Sequence, residues 1–98
     1  MKIYLDAIEP APEEWIGIHT AQETIELLKT GKVKELNLSY SFFYVLLWIK
    51  EQLLLTGDDW FVPNVIKIHD EYPSNREKLQ KCLDEINQKR IKIKYENT

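Results

Sequence analysis

Four short segments rich in β-formers, "KIYLDAI", "WIGIHT", "VKELNLS" and "NVIKIHD", punctuate the chain, and the stretches after the second and third are long enough to be helices. Strands joined through helices need crossover connections, and crossovers build a parallel sheet from right-handed βαβ units. The spacing therefore predicts an α/β fold, a small three-layer sandwich around a mostly parallel sheet of four to five strands. Ligands of such sheets bind beyond the carboxyl ends of the strands. Here those ends present Asp6, then Ser39, Tyr40 and Ser41, then His69 and Asp70.

Local signals set the boundaries. The first strand is expected to end near Asp6, because the two prolines of "EPAPEE" cannot continue a ladder. "TAQE" has the form of a capping box, with Thr20 and Glu23 in the capping roles. Ala21, Ile25 and Leu28 then follow helical spacing up to a stop at Gly31. A second helix is predicted from Phe42 to about Leu55, ended by Gly57. Ser74 and Glu77 read as another capping box, followed by Leu79, Cys82, Leu83 and Ile86 at i, i+3, i+4 and i+7. "IKIKY" alternates strictly and is expected to be a fifth strand, Ile91, Ile93 and Tyr95 covering a sheet edge while Lys92 and Lys94 stay wet. Residues 91–98 would then be the edge strand or tail of one domain spanning 1–98.

At 98 residues, 44% of them hydrophobic and 30% charged, the chain suits one small core that buries roughly 60–70% of its unfolded surface. A net charge of −3 with scattered lysines and arginines excludes a generic nucleic-acid binder. Cys82 is the one cysteine, which rules out an internal disulfide or a thiolate metal cluster, and no leader opens the chain, so the reducing cytoplasm is the expected location. The longest apolar run, Phe42 to Ile49, falls well short of the roughly 20 residues that cross a bilayer, so no membrane association is expected.

Together "MKIYLDAIEPAPEEW", "TAQETIELLKTGKVKELNLS", "VLLWIKE" and "VIKIHDEYPSNRE" resemble the cyclic-phosphate-processing receiver family, small relatives of the response-regulator receiver domain, up to about Ile86. The resemblance implies a receiver-like, flavodoxin-like fold and a phosphoesterase-type pocket. Asp6 matches the first of the family's two aspartates closing strand one, and Ala7 stands at the second. Where the family carries Asp-His-Asp after strand three, this chain reads Ser39, Tyr40 and Ser41. His69, Pro73 and Arg76 match the family's histidine, proline and arginine, and Asp70 stands where a small hydroxyl residue is common.

A divalent ion engaged in phosphoryl chemistry is held through one or two carboxylates with waters and substrate, and a general base must reach its proton. Asp6 is the well-placed carboxylate, Asp70 a second only if its side chain turns inward, and Ser39 or Ser41 orients a phosphate without neutralising a metal. No metal or other cofactor is therefore expected, and hydrolysis is expected to be lost. Asp6 either caps its turn or joins a site. His69 is either a hydrogen-bonded structural residue or an acid–base group. Arg76, with the free amides from Asn75 onward, suits an anion. The candidate ligand-binding residues are thus Asp6, Ser39, Ser41, His69, Asp70 and Arg76. His19 is given no role, and Asp58 and Asp59 read as turn residues.

The helix from Phe42 is apolar nearly all round. Phe42, Val45, Leu46, Ile49 and Leu53 form a core face, Phe43, Leu47 and Leu54 a second, and Tyr44, Trp48 and Leu55 a third. Either Phe43, Leu47, Trp48 and Leu54 form an interface, or "IKIKY" folds over them. The leading expectation is a catalytically inactive receiver-like binding or regulatory module that meets a protein partner or its own copy as a homodimer. The alternatives are a residual cyclic-phosphate phosphodiesterase using Asp6 and His69, with or without Asp70, and a sponge holding a cyclic nucleotide or phosphate through Arg76 and the serines.

Overall fold

The computed structural model describes residues 1–96. Strands β1 (Lys2–Leu5), β2 (Ile16–Ile18), β3 (Glu35–Leu38) and β4 (Val65–Ile68) form a wholly parallel sheet in the order β2-β1-β3-β4. Helices α1 (Ala21–Leu28), α2 (Phe43–Thr56) and α3 (Pro73–Glu96) complete an α/β fold of the receiver-like type, and a 3-10 turn, Tyr40–Phe42, leads into α2. Thr20 caps α1 by accepting the Glu23 amide at 3.1 Å. Gly57 closes α2 in the left-handed region, φ 65°, its amide donating to the Leu53 carbonyl. None of the helices is long and apolar enough to cross a membrane.

Register decides where the core lies. Ile3, Leu36 and Ile66 stand abreast, as do Leu5, Leu38 and Ile68 two residues on, so their side chains share one face of the sheet. Tyr4, Asn37 and Lys67 share the other. Helix α2 packs between α1 and α3, and its Val45, Leu46, Ile49 and Leu53 join Leu28, Leu79 and Ile86 with the first face in one buried cluster. Among the described residues the helices therefore gather on one side of the sheet, within the receiver-like sandwich expected. Right-handed connections explain this: β2→β3 and β3→β4 step in one direction and send α1 and α2 to the same side. Only β1→β2 steps the other way, and its proline-bearing connection forms no helix. No helix covers the opposite face among the described residues, where Trp15 lies edge-on to Tyr4 at 6.4 Å with the Lys2 ammonium 5.6 Å from the Trp15 ring.

Two expectations about α3 are corrected. It begins at Pro73, so Ser74 lies inside the helix, not at its cap. The Tyr72 carbonyl takes the Asn75 and Arg76 amides at 3.1 Å each, and a proline ring is pre-set for a first helical position. At the other end the expected fifth strand is absent: α3 continues through Ile91, Ile93 and Tyr95 to Glu96, and residues 97 and 98 lie outside the described part. No glycine or proline interrupts the chain after Ile86, and Ile93, seven residues on, extends the same helical face into the core. Lys50 donates to the Glu85 carboxylate, and the Arg90 guanidinium reaches Asp59 at 3.3 Å and the Pro63 carbonyl at 3.4 Å, fastening α3 to α2 and the following loop.

A helix buries one of the two isoleucines where a strand would use both. Ile93→Ala is expected to cost about 2 kcal/mol or more, and Ile91→Ala, at an exposed position, no more than about 0.5 kcal/mol. Urea unfolding of the two variants checks this, since equal losses would fit the strand.

Candidate functional site

Asp6, Ser39 and His69 come directly after Leu5, Leu38 and Ile68, so the adjacent strands β1, β3 and β4 deliver them side by side. The Ser39 amide donates to the Leu5 carbonyl at 3.2 Å and the His69 amide to the Leu38 carbonyl at 3.0 Å, extending the ladder to the site itself. The alternation that buries the leucines turns these side chains toward the open face with Tyr4 and Asn37.

The His69 ring is held on every side. Its Nε2 lies 2.8 Å from Asp6 Oδ2, its Nδ1 2.5 Å from Asn37 Oδ1, and its plane stacks on Tyr4 at 4.7 Å and 6°. Asp6 Oδ1 accepts the amides of Ile8 and Glu9, each at 2.8 Å. Two proton arrangements satisfy the ring. Either an imidazolium donates at both nitrogens, or a neutral ring donates from Nε2 to Asp6 and accepts the Asn37 amide nitrogen at Nδ1, the Asn37 oxygen and nitrogen being interchanged. Neither leaves a ring nitrogen free to exchange a proton with a substrate. Burial pushes the Asp6 carboxyl up, but the Glu9 and Ile8 amides together with His69 outweigh it and hold the group below the ordinary carboxylate range. Burial, then the charges of Asp6 and Glu9, raise the Tyr4 phenol.

Asp70 is turned inward and equally engaged. Its Oδ1 accepts the Tyr72 amide at 3.0 Å and Asn75 Nδ2 at 3.1 Å, and its Oδ2 accepts the Tyr40 amide at 3.1 Å. These bonds, the Tyr72 amide foremost, lower its carboxyl as well. Asp70 thereby ties the entry of α3 to the 3-10 turn. Among the described residues no group of three or more His, Cys, Asp or Glu side chains is placed to hold a metal ion.

An open cavity of about 510 Å³ lies over this network and brings together Asp6, Ser39, Ser41, His69 and Asp70. Arg76 is not among its walls. Its Nη1 donates to the Asp70 main-chain oxygen at 2.6 Å and it borders a separate groove with Ile68 and Pro73. The amides expected to help it hold an anion are spent on Tyr72. Of the four expected interface residues, Phe43 stacks on Tyr40 at 5.4 Å and Trp48 meets Phe61 at 5.7 Å, both half-buried, whereas Leu47 and Leu54 face water. Sequence reasoning missed Asn37, Tyr4 and Tyr72. The first two carried a signal: in "ELNL" and "KIYL" they alternate with core residues and so belong to the face of Ser39 and Asp6.

A parallel sheet in this order, with an aspartate and a histidine meeting at its carboxyl ends, defines a receiver-like α/β protein. The chain matches the cyclic-phosphate processing receiver domain over residues 1–85 and belongs to that family. No curated protein and no solved structure matches it. The matched stretch ends inside α3, leaving Ile93 and the last turns of that helix beyond it.

Asp6 and Asp70 both have folded-state values below the usual carboxyl range near 3.9, so the unfolded chain binds the protons more tightly. Their contribution to stability is complete above that range and is lost as pH falls through the folded values. The urea midpoint is expected to be flat between about pH 5 and 7 and to drop below about pH 4, less steeply in Asp6→Asn. An identical slope in that variant would exclude Asp6 from the acid transition.

Proposed function

We propose that this family member is a binding module without cyclic-phosphate turnover, acting through contact with a protein, either its own copy or another chain. The saturated bonding of His69 carries this reading. A hydrolase needs a base able to take a proton from water or substrate, and here both ring nitrogens are engaged by Asp6 and Asn37. Helix α2 supports the second half of the reading. Tyr44, Leu47, Leu54 and Leu55 are exposed along its outer side, in line with half-buried Trp48. Exposed apolar side chains gathered on one side of a helix, here around the exposed Glu51, mark interaction sites more often than scattered ones do. The buried thiol of Cys82, raised chiefly by burial, suits a reducing compartment such as the cytoplasm.

The test is an assay of cyclic phosphodiesters with magnesium or manganese. No turnover is expected, and turnover abolished by Asp6→Asn would refute the proposal. One observation favours the residual-phosphodiesterase or nucleotide-sponge reading: Asp6 and His69 do meet at the edge of a cavity at the strand ends. That assay, together with nucleotide binding measured by calorimetry, separates these readings.

A further inference from the structure

The cavity at the strand ends is lined by four carboxylates, Asp6, Glu9, Asp70 and Glu71, against one histidine, and neither lysine nor arginine lines it among the described residues. Glu9 and Glu71 are exposed and form no ion pair there. Such a wall repels a phosphate and attracts a cation.

Ser39 is an independent observation. It is only 7% exposed and lines the cavity, yet its hydroxyl caps nothing and makes no hydrogen bond among the described residues. No buried side-chain oxygen or nitrogen among the described residues lacks a partner, so this unbonded hydroxyl is open to the cavity and free to bond what enters there. The Asp6 and Asp70 carboxylates each accept three hydrogen bonds from the protein, against roughly four acceptor positions in a carboxylate, so each retains room for one more. The Lys78 ammonium, which does not line the cavity, lies 5.5 Å from the Tyr40 ring centroid. The cavity rim at Tyr40 and Ser41 runs on, one turn later, to Tyr44 and the outer side of α2.

We propose that this cavity receives a basic side chain, lysine or arginine, of a partner protein, its charged head set against Asp6 and Asp70 with the Ser39 hydroxyl accepting one of its N–H bonds. The proposal rests on the reading of the chain as a protein-binding module. Continuity between the cavity rim and the apolar side of α2 favours a side chain on a protein surface over a free amine.

Amide chemical shifts of the wild-type protein test this with acetyl-Gly-Arg-Gly-amide and acetyl-Gly-Lys-Gly-amide at concentrations on the order of 10 mM, the range for one anchored side chain. Shifts are expected at Ile8, Tyr40 and Tyr72. They should be absent with the citrulline and Nε-acetyl-lysine peptides and about 3- to 10-fold weaker in affinity for Ser39→Ala. Glu71→Gln, at an exposed position where folding is not at stake, should weaken binding about 2-fold. No shift with either basic peptide overturns the proposal, and so do equal shifts with the neutral peptides. It is likewise overturned if magnesium displaces the peptides at lower concentration than they bind, or if only inorganic phosphate or a cyclic nucleotide produces the shifts. Cyclic-phosphate turnover by the same sample would overturn the proposed function, leaving the peptide shifts to decide this inference separately.

Discussion

Leu47→Glu is expected to leave the fold intact while abolishing association. Leu47 is 42% exposed, whereas its neighbours on the inner side of α2, Val45, Leu46, Ile49 and Leu53, are wholly buried, so a carboxylate at position 47 points into water in the isolated chain. In a complex that covers the outer side it becomes a buried charge without a partner, a loss of about 3–5 kcal/mol. The dissociation constant should then rise on the order of a hundred-fold or more. Sedimentation velocity over a concentration series, with far-UV circular dichroism on the same samples, measures both halves. A wild type that stays monomeric throughout removes the homodimer. Val45→Glu is the contrasting control, because it places the charge in the core and should unfold the domain.

His69→Ala carries the second large effect. Removing the ring deprives Asp6 Oδ2 and the Asn37 side chain of their partners and uncovers the Tyr4 ring. The Asp6 side chain is only 13% exposed, so its loss of a hydrogen-bond donor is incompletely repaid by solvent. The expected cost is about 1–3 kcal/mol, or a melting temperature lowered by roughly 10 °C in a chain of this size. Because β1, β3 and β4 are cross-tied through this one ring, protection of the Ser39 and His69 amides from hydrogen exchange should fall with it. A catalytic histidine with no structural role would show neither change, so the variant also tests whether the network belongs to the architecture or to chemistry.

Much of this molecule was legible in the sequence because the signals are local. The period-two alternation of "ELNL", the Thr20 cap and the Gly57 stop are each decided within a few residues, and the elements they predict are present. The resemblance carried by "KIYLDAI" and "VIKIHDEYPSNRE" led to the family that the chain belongs to. The misjudged end of α3 shows the limit of such signals. "IKIKY" alternates like a strand, but alternation over so few residues also fits a helix that buries Ile93 and leaves Ile91 and Tyr95 in water, and the uninterrupted helix upstream decided between them.

The sequence by itself determined that the chain would form a parallel sheet presenting Asp6, Ser39 and His69 at strand ends, because strands joined through helices need crossovers. Only the tertiary structure decided that one sheet face stays open and that Arg76 turns away from the cavity. It also decided that the His69 ring is spent on Asp6 and Asn37 while the Ser39 hydroxyl is not. The physical reason is that hydrogen-bond saturation is a sum over partners far apart in the chain. Asp6 and His69 are 63 positions apart, and no local pattern records whether the atoms that meet there leave a lone pair or a proton to spare.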